Sequence, residues 1–132
     1  MAQQADKVTW FELPAFDTAR AGKFYNEVFG WNTSDMGGGS LMAVTTPSDE
    51  EGMPSEPGAI NGDISPIGVG FDKPLIVITV QDMDAKIKMV EAAGGTVVLR
   101  PKEMEGMGMI WAIVRDTEGN NVGVIQELKS EK

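Results

Sequence analysis

The chain has 132 residues, 42% of them hydrophobic, which is the length of one ordinary domain and enough to furnish a core. Its net charge of −9 argues against nucleic acid or an anionic membrane surface as partner, because a phosphate backbone would be repelled. With no cysteine, disulfides, thiolate metal sites and thiol catalysis fall away, and the expected address is the cytoplasm. The longest aliphatic stretch, 75–80, is too short to span a bilayer, and the polar start 1–7 does not read as a secretion signal.

Val8 to Leu13 alternates and is β-rich, so it reads as a strand that Pro14 ends. Asp17 is suited to cap a helix, since its carboxylate accepts from the free amides of the first turn. Ala21, Phe24, Tyr25 and Val28 then recur at helical spacing as one apolar stripe, Gly22 permits close backbone packing, and Gly30 stops the helix. Three strands follow, at about Asn32 to Met36, Leu41 to Thr45 and Ala59 to Ile64. Gly37-Gly38-Gly39 is the first turn between them; no helix start follows it, so it is no phosphate cradle. The acidic stretch Thr46 to Pro57, with Asp49, Glu50, Glu51 and Glu56, reads as a solvated loop.

The same grammar returns after a glycine- and proline-rich linker. Leu75 to Val80 is a strand, Asp82 a second cap, and Met83, Ile87 and Val90 a second stripe closed by Gly94 and Gly95. Strands follow at about Thr96 to Arg100, Met109 to Arg115 and Asn121 to Gln126, the last two joined by the turn signal Asp116-Thr117-Glu118-Gly119-Asn120. Asp17 to Asp82 and Gly30 to Gly95 are both shifts of 65 positions (82 − 17 and 95 − 30), which indicates duplication. The expectation is one domain of two βαβββ modules, 7–65 and 75–127, joined by a linker at 66–74.

Several stretches carry a resemblance across nearly the whole chain. They are Phe11-Glu12-Leu13-Pro14 before Asp17, Phe24-Tyr25, Val28-Phe29-Gly30-Trp31, Val80-Gln81-Asp82-Met83-Asp84-Ala85 and Asp116-Thr117-Glu118-Gly119-Asn120. In order and spacing they resemble the vicinal oxygen chelate superfamily of glyoxalases, bleomycin-resistance proteins and ring-cleaving dioxygenases. Thr117 departs from the proline usual in the last turn. The resemblance implies an α+β fold whose two modules form a curled mixed β-sheet cup with helices on its outer face, and a homodimer. It also implies four metal ligands on the first and last strands of the modules. Carried over, those positions are Trp10, Gly58, Leu75 and Gly123, none of which offers an electron pair to a cation, and the chain has no histidine. The expectation is a metal-free protein without a cofactor.

Strand parity turns Trp10 and Glu12 into the cup and Phe11 and Leu13 toward the helix. By the same rule Leu75, Val77 and Thr79 face in, as do Gly123 and Ile125, and Met109, Trp111 and Ile113 share one face. The candidate ligand-binding set is therefore Trp10, Glu12, Gly58, Leu75, Val77, Met109, Trp111 and Gly123. Trp10 and Trp111 are equally readable as core plugs, and Met104, Met107 and Met109 as a pliable rim or an ordinary loop. Glu12 is the candidate for chemistry, since desolvation in an apolar cup would raise its pKa; the alternative is a scaffold role, paired with Arg20, Lys23 or Arg100 or hydrogen-bonded to the sheet backbone.

Two functions fit these residues. One is metal-free binding of a small aromatic or cationic molecule, for which indole faces and acidic loops are suited. The other is a metal-independent isomerase or lyase with Glu12 as general base; the sequence displays no second acid or base beside it, which sets the binder ahead. A structural subunit with its cup filled by side chains is a third.

Overall fold

In the computed structural model, which describes residues 5–104 and 106–128, the chain forms two helices and eight strands and divides into two compact units. The first unit, Thr9–Leu75, holds β1 (Val8–Ala15), α1 (Thr18–Phe29), β2 (Asn32–Gly37), β3 (Ser40–Val44) and β4 (Asn61–Pro66). The second runs from Ile76 onward with the N-terminal segment to Val8, and holds β5 (Leu75–Thr79), α2 (Met83–Ala92), β6 (Thr96–Met104), β7 (Met109–Arg115) and β8 (Asn121–Glu127). The fold class is α+β.

Each unit repeats one topology. In the first the strand order is β2-β3-β4-β1, with β1 parallel to β4 and the other pairs antiparallel. In the second it is β5-β8-β7-β6, with β5 parallel to β8 and the rest antiparallel. Among the described residues no helix is long and apolar enough to cross a membrane.

Local chemistry sets the helix ends. Asp17 and Asp82 are extended N-caps whose Oδ1 atoms accept from Arg20 N and Ala85 N at 3.0 and 3.1 Å. Gly30 closes α1 at φ 76°, a left-handed conformation that a side chain would resist. Gly22 lies against the sheet: a Cβ there would stand 2.8 Å from Leu41 Cδ1.

Several expectations shift. Pro14 does not end β1, which runs to Ala15; its missing amide is tolerated because the strand continues its pairing with β4 through Pro14↔Ser65. The strand expected at 59–64 is β4 at Asn61–Pro66, and β6 extends past Arg100 to Met104 across two register shifts. The stripe of α2 is buried at Met83 and Ile87, as its spacing predicts. That of α1 is not: Phe24 and Val28 are 53% and 56% exposed, and its one fully buried position is Gly22. The helix sits so close at Gly22 that its small face meets the sheet, and its large residues turn outward.

Candidate functional site: a carboxylate pair on β1 and β4

Parity gives the first sheet two unlike faces. Phe11 lies 5.3 Å from Trp31 in ring contact, on the α1 side. Gly62, on the same side, leaves room for it, since a Cβ there would collide with the Phe11 ring and carbonyl. The opposite face carries Trp10 and Glu12 from β1, Asn61, Asp63 and Ser65 from β4, and Met42 from β3, because the register pairs Trp10 with Asn61, Glu12 with Asp63 and Met42 with Asp63.

Two carboxyl groups therefore meet. Asp63 is 5% exposed, its Oδ2 accepts from the Trp10 indole Nε1 at 2.6 Å, and its Oδ1 accepts from Ser65 Oγ at 2.7 Å. Glu12 hydrogen-bonds to Asp63, and its pKa is pushed up to about 8. Burial is the chief cause, followed by the negative charge of Asp63 and by that hydrogen bond. At neutral pH Glu12 rests as the acid. The scaffold alternative finds other partners: Lys23 pairs with Glu27 and Arg100 with Glu91, while Arg20 lines a surface groove of about 480 Å³ with Leu13, Phe16 and Phe24.

The acidic stretch is an ordered arch over this face. Asn61, 1% exposed, donates through Nδ2 to Ser48 Oγ and the Gly52 carbonyl and accepts from Thr45 N through Oδ1. Asp49 Oδ1 accepts from the amides of Glu51 and Met53. Gly52 comes close to the Met42 methyl, so the arch leans on the row that contains Asp63.

In the second sheet Val77, Gly123 and Ile113 form one row across β5, β8 and β7, and Thr79, Ile125 and Trp111 the next. α2 covers the other face, packing with Val80, Ala112, Val114 and Val124. Leu75 opens β5, buried, and Met109 opens β7 opposite Glu127. Of the sequence-derived set, Trp10 and Glu12 share the face of their strands away from α1, and Val77, Met109, Trp111 and Gly123 share the face of theirs away from α2.

Gly58 stands elsewhere than expected. It lies in the loop ahead of β4 at φ 88°, with nothing within 4 Å of a Cβ position. The 65-residue offset holds from Glu12 to Val77, but Val77 pairs with Gly123 whereas Glu12 pairs with Asp63. The structural counterpart of Gly123 is therefore Asp63, because the loop 45–60 is far longer than the turn 116–120. Asp63 is the residue that the sequence reading missed, and with it the statement that Glu12 has no acidic neighbour is overturned. The signal was present: Asn61, Asp63 and Ser65 are polar at alternate positions, with Gly62 and Ile64 between them.

The four positions implied for a metal thus carry Trp10, Asp63, Leu75 and Gly123, with one oxygen donor among them. That carboxylate already accepts from Trp10 and Ser65, and its neighbour Glu12 is protonated near neutrality. Among the described residues no three His, Cys, Asp or Glu side chains converge. The residues do not fit a divalent metal.

The family model of the Glyoxalase/Bleomycin resistance protein/Dioxygenase superfamily matches residues 7–124. The chain belongs to this superfamily. It is 31% identical over 119 residues to the anthracycline biosynthesis protein DnrV of Streptomyces peucetius, covering 83% of this chain and 43% of that protein. It is 31% identical over 123 residues to a putative glyoxylase of Mycobacterium tuberculosis, covering 89% of this chain and 44% of the relative. The chain thus spans less than half the length of these relatives. Among solved structures, Streptomyces coelicolor methylmalonyl-CoA epimerase in complex with 2-nitronate-propionyl-CoA superposes with a TM-score of 0.62 at 16% identity, covering 96% of this chain and 97% of that one. A superfamily member from Vibrio splendidus gives 0.61 at 14% identity, covering 93% and 100%. At these identities the likeness speaks for the fold.

Proposed function

We propose that this superfamily member is a metal-independent isomerase or lyase in which Glu12 gives a proton to a small organic substrate and takes one back. The observation that carries the reading is the Glu12–Asp63 pair. A carboxyl group kept protonated near neutral pH is a hydrogen-bond donor and general acid toward an oxygen that gains charge during reaction. Once Glu12 has released its proton, two negative charges face each other in a desolvated place, which favours the proton's return from the next atom that offers it. The chemistry so supplied is proton transfer at or beside a carbonyl oxygen. Sequence pattern alone left the acid–base machinery one member short, and Asp63 is that member.

A second reading, metal-free sequestration of a small aromatic or cationic molecule by an apolar cup, is supported by the half-buried indoles of Trp10 and Trp111 on open sheet faces. The names of the relatives, for anthracycline biosynthesis and for a glyoxylase, agree with small-molecule work in either case.

One assay separates the two. The protein is incubated in deuterium oxide with a panel of small ketones, α-hydroxyketones and methylglyoxal, and exchange at carbon is followed by proton NMR. The enzyme reading expects catalysed exchange or conversion of at least one compound, lost by roughly 10²–10⁴-fold in Glu12→Gln. Tryptophan quenching by a compound without exchange, equal in wild type and Glu12→Gln, would sink it in favour of the binder.

A further inference from the structure

The pair holds one proton and two places to keep it, and its hydrogen bonds are lopsided. The Trp10 indole is a donor with no acceptor capacity, so Asp63 Oδ2 accepts, at 2.6 Å. Ser65 Oγ donates to the other oxygen at 2.7 Å. A carboxyl group that accepts on both oxygens is favoured in its charged form. Every influence on the Glu12 carboxyl, namely burial, the Asp63 charge and the hydrogen bond to Asp63, works the other way.

The register makes this arrangement possible. Glu12 faces Asp63 directly, while Trp10 faces Asn61 one row away, so the indole reaches diagonally to Asp63 Oδ2. Ser65 stands two residues along β4, on the same face. We propose that Trp10 and Ser65 are positioning residues: by donating to both oxygens of Asp63 they hold the negative charge there, and so place the shared proton on Glu12.

The surrounding charges do not compete for that role. β1, β3 and β4 carry no titratable group besides Glu12 and Asp63. The arch over this face brings Asp49, Glu50, Glu51 and Glu56, of which Asp49 is engaged by backbone amides. α1, on the opposite face, carries Arg20, Lys23 and Glu27.

The inference rests on the same two carboxyls as the proposed function but needs no substrate. It is tested on ¹³C-labelled full chain by following the Glu12 Cδ and Asp63 Cγ shifts from pH 5 to 10. In wild type the Glu12 signal is expected to move from acid to carboxylate with a midpoint near 8, and the Asp63 Cγ shift reads which residue of the pair holds the proton. Each donor removed should weaken the preference by about tenfold, the effect of about one pKa unit. Ser65→Ala should therefore raise the protonated share of Asp63 measurably. Trp10→Phe with Ser65→Ala should shift the distribution toward Asp63 further, by about a hundredfold. A purely structural role for Trp10 would lower the melting temperature without moving either shift.

A proton found on Asp63 in wild type, or a distribution unchanged in both variants, overturns the inference. Ser65→Ala alone carries the test if Trp10→Phe does not fold. Absence of exchange in the wild-type protein, or exchange undiminished in Glu12→Gln, speaks against the proposed function and leaves these shifts unaffected, so the two failures are distinguishable.

Discussion

The two modules share one topology and differ in what their open faces carry at equivalent positions. Where the first sheet sets Glu12 against Asp63, the second sets Val77 against Gly123. In the first pair the two carboxyls are hydrogen-bonded and Asp63 accepts from Trp10 and Ser65; the second is a hydrocarbon contact, in which a Cβ at Gly123 would meet Val77 Cγ2 at 3.1 Å. One topology occurs twice, and the polar pair stands in one of the two. The helices differ in the opposite sense. α2 buries methionine and isoleucine, whereas α1 buries a glycine and leaves aromatic rings outside.

The largest effect is expected where the faces are made alike. Val77 is 4% exposed, and Val77→Glu places a carboxyl in the second module without the donors that serve Asp63 in the first. Destabilisation of at least about 3 kcal/mol at pH 7 follows, since an unpartnered buried carboxyl must take up a proton to remain inside, at a cost of 3 or more pKa units. Urea denaturation at pH 7 and pH 4.5 reads it, and the deficit should shrink at the lower pH. A loss below about 1 kcal/mol would mean that the second face is wet and that the contrast with the first is not one of polarity.

This contrast also marks what the sequence disclosed. The caps at Asp17 and Asp82, the stop at Gly30 and the turn at 116–120 depend on contacts between residues a few positions apart, so a local pattern reveals them. The meeting of Glu12 with Asp63 spans the whole first module and passes through a loop whose length breaks the repeat. An offset taken from the helices therefore pointed to Gly58 and not to the residue that stands there. The exposure of Phe24 and Val28 was hidden for a related reason: spacing says which residues share a helix face, and only the close approach at Gly22 decides which face turns inward.

A middle-sized effect separates the two helices. Met83, 2% exposed within the α2 cluster, should lose about 2–5 kcal/mol on truncation to alanine. Phe24→Ala in α1 should cost less than about 1 kcal/mol despite the larger side chain, because the ring is more than half solvated and packs chiefly on Tyr25 and Phe29. The comparison is sharpened by measuring both in one chemical-denaturation series. Equal losses would show that α1 is covered in solution by a surface absent from the single chain.

The last effect is a slope spread over several pH units, and it distinguishes Glu12 from the other perturbed carboxyl, Asp116. In the unfolded chain Glu12 releases its proton near 4.5, and in the folded one near 8. Below 4.5 both states hold the proton and the contribution of Glu12 to stability is fully present. Between 4.5 and 8 only the folded state holds it, so stability falls as pH rises, by up to about 1.4 kcal/mol per unit. Above 8 the slope vanishes. Asp116, exposed in its turn, is held below its ordinary 3.8 by hydrogen bonds from Asn120 and Glu118, so its contribution is lost only on acidification below that value. The two windows do not overlap. Subtracting the stability of Glu12→Gln from that of wild type at each pH should leave a line descending from 4.5 to 8. A flat difference would mean that Glu12 titrates as an ordinary carboxylate, and the first module's open face would then differ from the second's in charge alone, without a stored proton.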